Sequence, residues 1–146
     1  MAADESGTLP LSGAVQATAF FGKTYDEAMS LLVEARDYFA HREPIDRQTL
    51  PPLERLRFCC ETMRLTARLT QIMAWLLAQR AVFAGEISQR DALSDHDALA
   101  ELRICMDAEE TAAAVMPLRL ANLLDRSWRL YVRVARLDEL ARRQPA

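Results

Sequence analysis

Two histidines and three cysteines are the residues of this chain best suited to metal or nucleophilic chemistry. A zinc site asks for three or four nitrogen or sulfur ligands converging on one point. His41, His96, Cys59, Cys60 and Cys105 include no Cys-x-x-Cys pair and no histidines one helical turn apart, and adjacent Cys59 and Cys60 would point about 100° apart on a helix. A carboxylate-bridged di-metal bundle needs Glu-x-x-His pairs, which the sequence lacks. Nucleophilic catalysis needs a base beside a serine or cysteine and a group to orient that base, and neither histidine is so placed. Gly7, Gly13, Gly22 and Gly85 are isolated, so no glycine-rich loop is there to cradle a phosphate. The expectation is a protein with no catalytic residue, no metal and no cofactor.

Charged patterns offer binding instead of chemistry. Glu61 lies within one helical turn of Arg57 and Arg64 and two turns before Arg68, but at a surface each such pair is worth only about 0.3–0.5 kcal/mol. The stripe reads as a solvated face or as a recognition face for an acidic partner, with Arg57, Arg64, Arg68 and Gln71 as candidate contacts. A second candidate surface is the stretch from Asp107 to Thr111, with Asp107, Glu109 and Glu110. Arginines 119, 126, 129, 133, 136, 142 and 143 crowd the last segment, which makes a nucleic-acid-binding regulator the competing reading. Against it stand a net charge of −3, a pI near 5.4 and the want of exposed aromatics interleaved with those arginines. Trp75, Trp128 and Tyr131 are expected in a core or as anchors of a homodimer.

A chain of 146 residues suits one domain with a single core. An odd cysteine count without paired spacing points to a reduced, cytoplasmic setting. Asp4 and Glu5 stand where an export signal would be basic, and the most apolar run, residues 69–85, is broken by Thr70, Gln71, Gln79 and Arg80, so neither export nor a membrane span is expected.

These residues need elements to hold them, and the pattern is helical throughout. Four glycines, few β-branched runs and no Asn-Gly or Asp-Gly hairpin signal argue against sheet. The fold class is all-α: an antiparallel helical bundle of three long helices plus a short helix or helical connection. Residues 1–19 read as a flexible arm, 20–143 as the bundle and 144–146 as a short end. Thr24-Tyr-Asp-Glu27 is a capping box that would open the first helix, its buried face Tyr25, Ala28, Leu32, Ala35, Tyr38 and Phe39. Pro52 opens a second helix reaching Ala84, and Gly85 supplies the residue that ends it.

That second helix is apolar on more than one side. One stripe runs Phe58, Leu65, Leu69, Ile72, Leu76, Phe83, a second Leu56, Cys60, Met63, Ala67, Leu77, and a polar ridge of Arg57, Glu61, Arg64, Arg68, Gln71 and Gln79 is left for solvent. Such a helix is expected to be the central post, wrapped by its neighbours. Ser88 with Asp91 and Ser94 with Asp97 are successive capping pairs, leaving residues 89–106 open as one helix or two. Residues 107–116 fit loop or helix. Pro117 suits the first turn of a last helix, along which Met116, Leu120, Leu123, Ser127, Leu130, Val134, Leu137 and Ala141 step by four and three as a heptad seam.

Three runs together resemble the RcdA family, regulators of CtrA degradation in alphaproteobacteria: residues 21–38 beginning Phe-Gly-Lys-Thr-Tyr-Asp-Glu-Ala, residues 64–88, and residues 127–138 beginning Ser-Trp-Arg-Leu-Tyr-Val-Arg. The resemblance implies a small helical bundle, dimeric, that acts as a non-enzymatic adaptor delivering CtrA or other clients to the ClpXP protease. It implies as partners a CpdR-like response regulator and a cyclic-di-GMP-responsive adaptor, and it brings no catalytic residues to carry over.

Overall fold

The computed structural model describes residues 11–94 and 116–143, with backbone alone for 11–18. Five helices and no strand occur among them: α1 (Leu11–His41), α2 (Glu43–Gln48), α3 (Pro52–Phe83), α4 (Gln89–Ser94) and α5 (Leu118–Arg143). The all-α bundle of three long helices is therefore what the chain forms. Glu34 pairs with Arg126 and Glu27 with Arg133, so α1 runs antiparallel to α5; Tyr25 meets Arg80, so it is antiparallel to α3 as well. That makes α3 and α5 parallel neighbours, joined by a return that begins with α4.

Helix α1 starts at Leu11, not at Thr24. A Thr-x-x-Glu pattern fits a helix interior as well as a cap when the hydroxyl finds a carbonyl one turn back. Here Thr24 Oγ1 donates to the Phe20 carbonyl at 3.1 Å, and the residue is buried. The inward face of α1 is Ala28, Leu31, Ala35 and Tyr38, with Leu31 taking the place expected for Leu32, which is exposed. Pro44 sits in the first turn of α2, where a missing amide costs nothing, so the chain breaks at Arg42 and restarts as a short helix. Tyr38 Oη donates to Asp46 Oδ2 at 2.9 Å and Arg42 pairs with the same carboxylate, pinning α2 to α1. Burial and that carboxylate together push the Tyr38 phenol well above its ordinary range.

The core is a three-way seam. Phe58, Leu65, Leu69, Ile72 and Leu76 of α3 meet Leu120, Leu123, Leu130 and Val134 of α5 and the small face of α1. The heptad positions of α5 from Met116 to Val134 are all buried, as their spacing predicts. At the start of α4, the Ser88 hydroxyl accepts from the Asp91 amide at 3.1 Å, the capping contact expected of that pair. The question of one helix or two over 89–106, His96, Cys105 and the acidic run Asp107, Glu109, Glu110 fall outside the described residues, as do positions 1–10 and 144–146.

Gly85 has φ of 74°, and nothing lies within 4 Å of where a Cβ would stand. Gly85→Ala should therefore cost only the backbone term, about 1 kcal/mol, read as a lower urea midpoint with unchanged slope.

Candidate docking faces

Parallel packing of α3 on α5 is built around polar groups that the heptad pattern hides. Arg68 is 7% exposed, and its Nη1 donates to the Leu124 carbonyl at 3.0 Å and to Ser127 Oγ at 2.7 Å. Ser127 Oγ donates in turn to the Leu124 carbonyl at 2.9 Å, and the guanidinium lies over the Trp128 ring, 5.4 Å from its centre. Burial pushes the Arg68 guanidinium below its usual value, with Glu61 pulling the other way. Glu61 is itself buried and is gripped by Arg64. Further along, the Trp75 indole donates to Asp138 Oδ1 at 3.0 Å while Arg142 holds Oδ2 at 2.9 Å. Gln79 is buried here too.

The expected polar ridge of α3 is thus divided. Arg57 is exposed and Arg64 and Gln71 are half-buried, so these three keep a solvent side. Arg68, Glu61 and Gln79 turn inward, which corrects their place on an open surface: carbonyl, hydroxyl and ring supply part of what water did for the guanidinium, while Arg68 Nε and Gln79 Nε2 find no hydrogen-bond partner among the described residues. The second apolar stripe is corrected in the opposite sense. Leu56 and Met63 are 62% and 72% exposed, Leu77 is 48% exposed, and Cys60 and Ala67 are open. The helix is rotated so that its ridge packs on α5 and its second stripe faces out. Phe83 is exposed as well, its ring edge-to-face with Phe21 at 5.1 Å. Trp75 and Tyr131 lie in the core, and Trp128 stacks on Tyr131 at its margin.

The arginine flank of α5 is largely engaged within the molecule. Arg126 grips Glu34 through two hydrogen bonds, one of them 2.9 Å, and Arg133 pairs with Glu27, so both reach across to α1. Arg129 pairs with Asp125 at 3.2 Å and Arg142 with Asp138. The hydrogen bond lowers the Glu34 pKa and raises that of Arg126. Residues 27 and 34 are seven apart, as are 126 and 133; that matched spacing on two antiparallel helices was the signal in the sequence for this ladder. Engaged arginines weaken the nucleic-acid reading, which needs cations free to meet phosphates.

Open grooves flank the bundle, and two of them border the second half of α1. One, of about 640 Å³, lies between the end of α1 and the start of α5 and is lined by Glu34, Asp37, His41, Arg42, Arg119 and Asn122 among others. The other, of about 480 Å³, is mostly apolar and runs between α1 and α3 past Leu32, Phe39, Thr66 and Thr70. Among the described residues no three His, Cys, Asp or Glu side chains cluster to hold a metal, and no helix is long and apolar enough to cross a membrane.

Fold and faces define the class: a three-helix bundle with solvent-open grooves and one long helix face left open by the described residues. The chain belongs to the family described as Protein of unknown function (DUF1465), whose model matches residues 13–146. It is similar to RcdA from Caulobacter crescentus CB15, known as a crystal structure, with 38% identity over 83% of this chain and 89% of that chain and a TM-score of 0.63. That identity and coverage place the two in one RcdA-like family. A comparison with curated proteins finds no match.

Two outcomes follow for these contacts. Arg68→Ala should cost about 2–4 kcal/mol in urea unfolding, because it opens a cavity and removes the donor to Ser127 Oγ and one of the donors on the Leu124 carbonyl, whereas Arg68→Met should recover most of this by removing the buried charge and keeping the volume. Glu34 has a depressed pKa in the fold, so its contribution is present above its ordinary value of 4.5 and is lost as pH falls through the lower folded value. Being half exposed and screened, the pair is worth about 0.5 kcal/mol; Glu34→Gln should remove that much at neutral pH, flatten the acid limb of the stability curve, and lose its effect in 1 M salt.

Proposed function

We propose that this protein is a non-enzymatic adaptor in regulated proteolysis, helping to bring the cell-cycle regulator CtrA, or another client, to the ClpXP protease in the cytoplasm. The likeness to RcdA, at 38% identity along most of both chains, is the observation that carries this reading. The physical form agrees with it. An adaptor raises the effective concentration of two weakly interacting bodies, which calls for separate surfaces on a rigid support. The polar flank of α3, with Arg57, Arg64 and Gln71, is one such surface; the groove between α1 and α5 is on another side of the bundle. Its partners on this reading are a CpdR-like response regulator, a cyclic-di-GMP-responsive adaptor and the client. Asp107, Glu109 and Glu110 are proposed contacts of the same kind.

Reconstituted ClpXP with its response regulator and cyclic-di-GMP-responsive adaptor should degrade CtrA several-fold faster when this protein is added. Arg57→Glu with Gln71→Glu should keep the helical content and lower capture of a pathway partner about tenfold, whereas changes at Arg68 would act through stability. An unchanged CtrA half-life with every component present would contradict the proposal.

A further inference from the structure

The ion-pair ladder between α1 and α5 stops one rung short. Its acids stand at positions 27 and 34 and its arginines at 133 and 126. One more step of seven brings α1 to His41 and α5 to Arg119, and these two line the same groove at that end of the bundle. Where the pattern calls for a carboxylate there is an imidazole, and neither His41 nor Arg119 has an ion pair or hydrogen bond among the described residues. The other charges around the groove have partners. Arg126 holds Glu34, Arg36 holds Asp37 at 3.2 Å, and Asp46 holds Arg42 at 3.3 Å. Asn122 gives its amide oxygen to Arg126 at 3.3 Å, which leaves its side-chain nitrogen as a donor. With those pairs made, the groove keeps a surplus of positive charge, and the first turn of α5 adds the positive end of a long helix dipole. Its floor is apolar, with Tyr38 and Leu123 beneath and Leu118, 86% exposed, at the rim.

We infer that this groove takes an aspartate or glutamate side chain of a partner protein. The carboxylate sits between Arg119 and His41, in the place of the missing rung, and apolar neighbours of that residue lie on Tyr38, Leu123 and Leu118. Charge complementarity selects the occupant. A neutral or basic segment would leave Arg119 unanswered, whereas one carboxylate repeats for Arg119 what Glu34 and Glu27 do for Arg126 and Arg133. A run of phosphates does not suit the same opening, because Glu34 and Asp37 stand beside it and repel extended negative charge. The groove, at about 640 Å³, has the volume of a ligand site and room for a few side chains. This inference rests on the adaptor reading, which names the groove as a docking surface, and adds the chemistry of what docks there.

NMR titration of the full chain with N-acetyl-Leu-Glu-Leu-amide, and with its neutral twin N-acetyl-Leu-Gln-Leu-amide, tests it. The glutamate peptide should shift the Arg119 Nε–H, the Asn122 side-chain amide and the His41 ring, and should bind about fivefold tighter than the glutamine peptide. Arg119→Glu should erase that preference. His41→Glu should erase it by another route, since it completes the rung within the molecule, and the circular dichroism spectrum should stay that of the wild type. Equal responses to the two peptides would overturn the inference, as would shifts confined to other faces or a His41→Glu protein that binds like the wild type. Tighter binding of N-acetyl-Leu-Ala-Leu with a free end would overturn it too, because the occupant would then be a chain terminus. So would Arg119 signals that move, with no peptide present, on combined Asp107→Asn, Glu109→Gln and Glu110→Gln substitution, because the chain's own acidic run would then fill the groove. The titration uses no protease component, so the two readings fail separately: faster CtrA degradation by a protein that ignores the glutamate peptide removes this inference alone.

Discussion

One buried guanidinium sets the orientation of the central helix. Arg68 reaches into the α3–α5 seam, satisfies the Leu124 carbonyl that Ser127 also bonds, and lies on the Trp128 ring. Removing a cation from water is costly, and the contacts offset that cost only in one rotation of α3 about its axis. Once Arg68 points inward, Glu61 two turns before and Trp75 and Gln79 two and three turns after must follow, and the apolar positions on the far side are carried outward. Parallel packing of α3 on α5 and the exposed strip are two results of the same constraint.

Among the described residues, the second apolar stripe of α3 has no neighbour packed along it, and Leu56, Met63 and Leu77 stay exposed. Within the bundle, charge is used as internal fastening: Glu27 and Glu34 ladder onto Arg133 and Arg126, Asp138 ties Trp75 to Arg142, and Asp46 ties Tyr38 to α2. The described surface includes an apolar strip, open grooves and the polar margin around Arg57. A small body with several dissimilar surfaces and a rigid frame suits a protein that works by holding others near one another.

Much of the frame was legible in the sequence. Pro52 and Gly85 bracket α3 to within two residues, Pro117 marks the start of α5, and the four-three spacing from Met116 to Val134 names its buried side. Periodicity could not say which of two apolar stripes on α3 would face the core, because it records spacing and not neighbours. Residue type alone places the arginine and glutamate at positions 68 and 61 toward solvent; the burial of Arg68 depends on a serine hydroxyl and a carbonyl 56 to 59 residues away, and Glu61, paired with Arg64, is buried on the same side of α3. The start of α1 was hidden for a related reason, since Thr24 satisfies itself inside a helix as readily as at its end. The α1–α5 ladder is written in matched seven-residue spacings, but only the antiparallel placement of the two helices decides which glutamate meets which arginine.

The rotation of α3 is the claim on which the rest stands, and the most direct measurement is hydrogen exchange at arginine side chains followed by nitrogen NMR, with assignments from Arg57→Lys and Arg68→Lys. Slow exchange at Arg68 beside fast exchange at Arg57 is the predicted result. Equal, rapid exchange at both would mean that the ridge faces water and the second stripe does not.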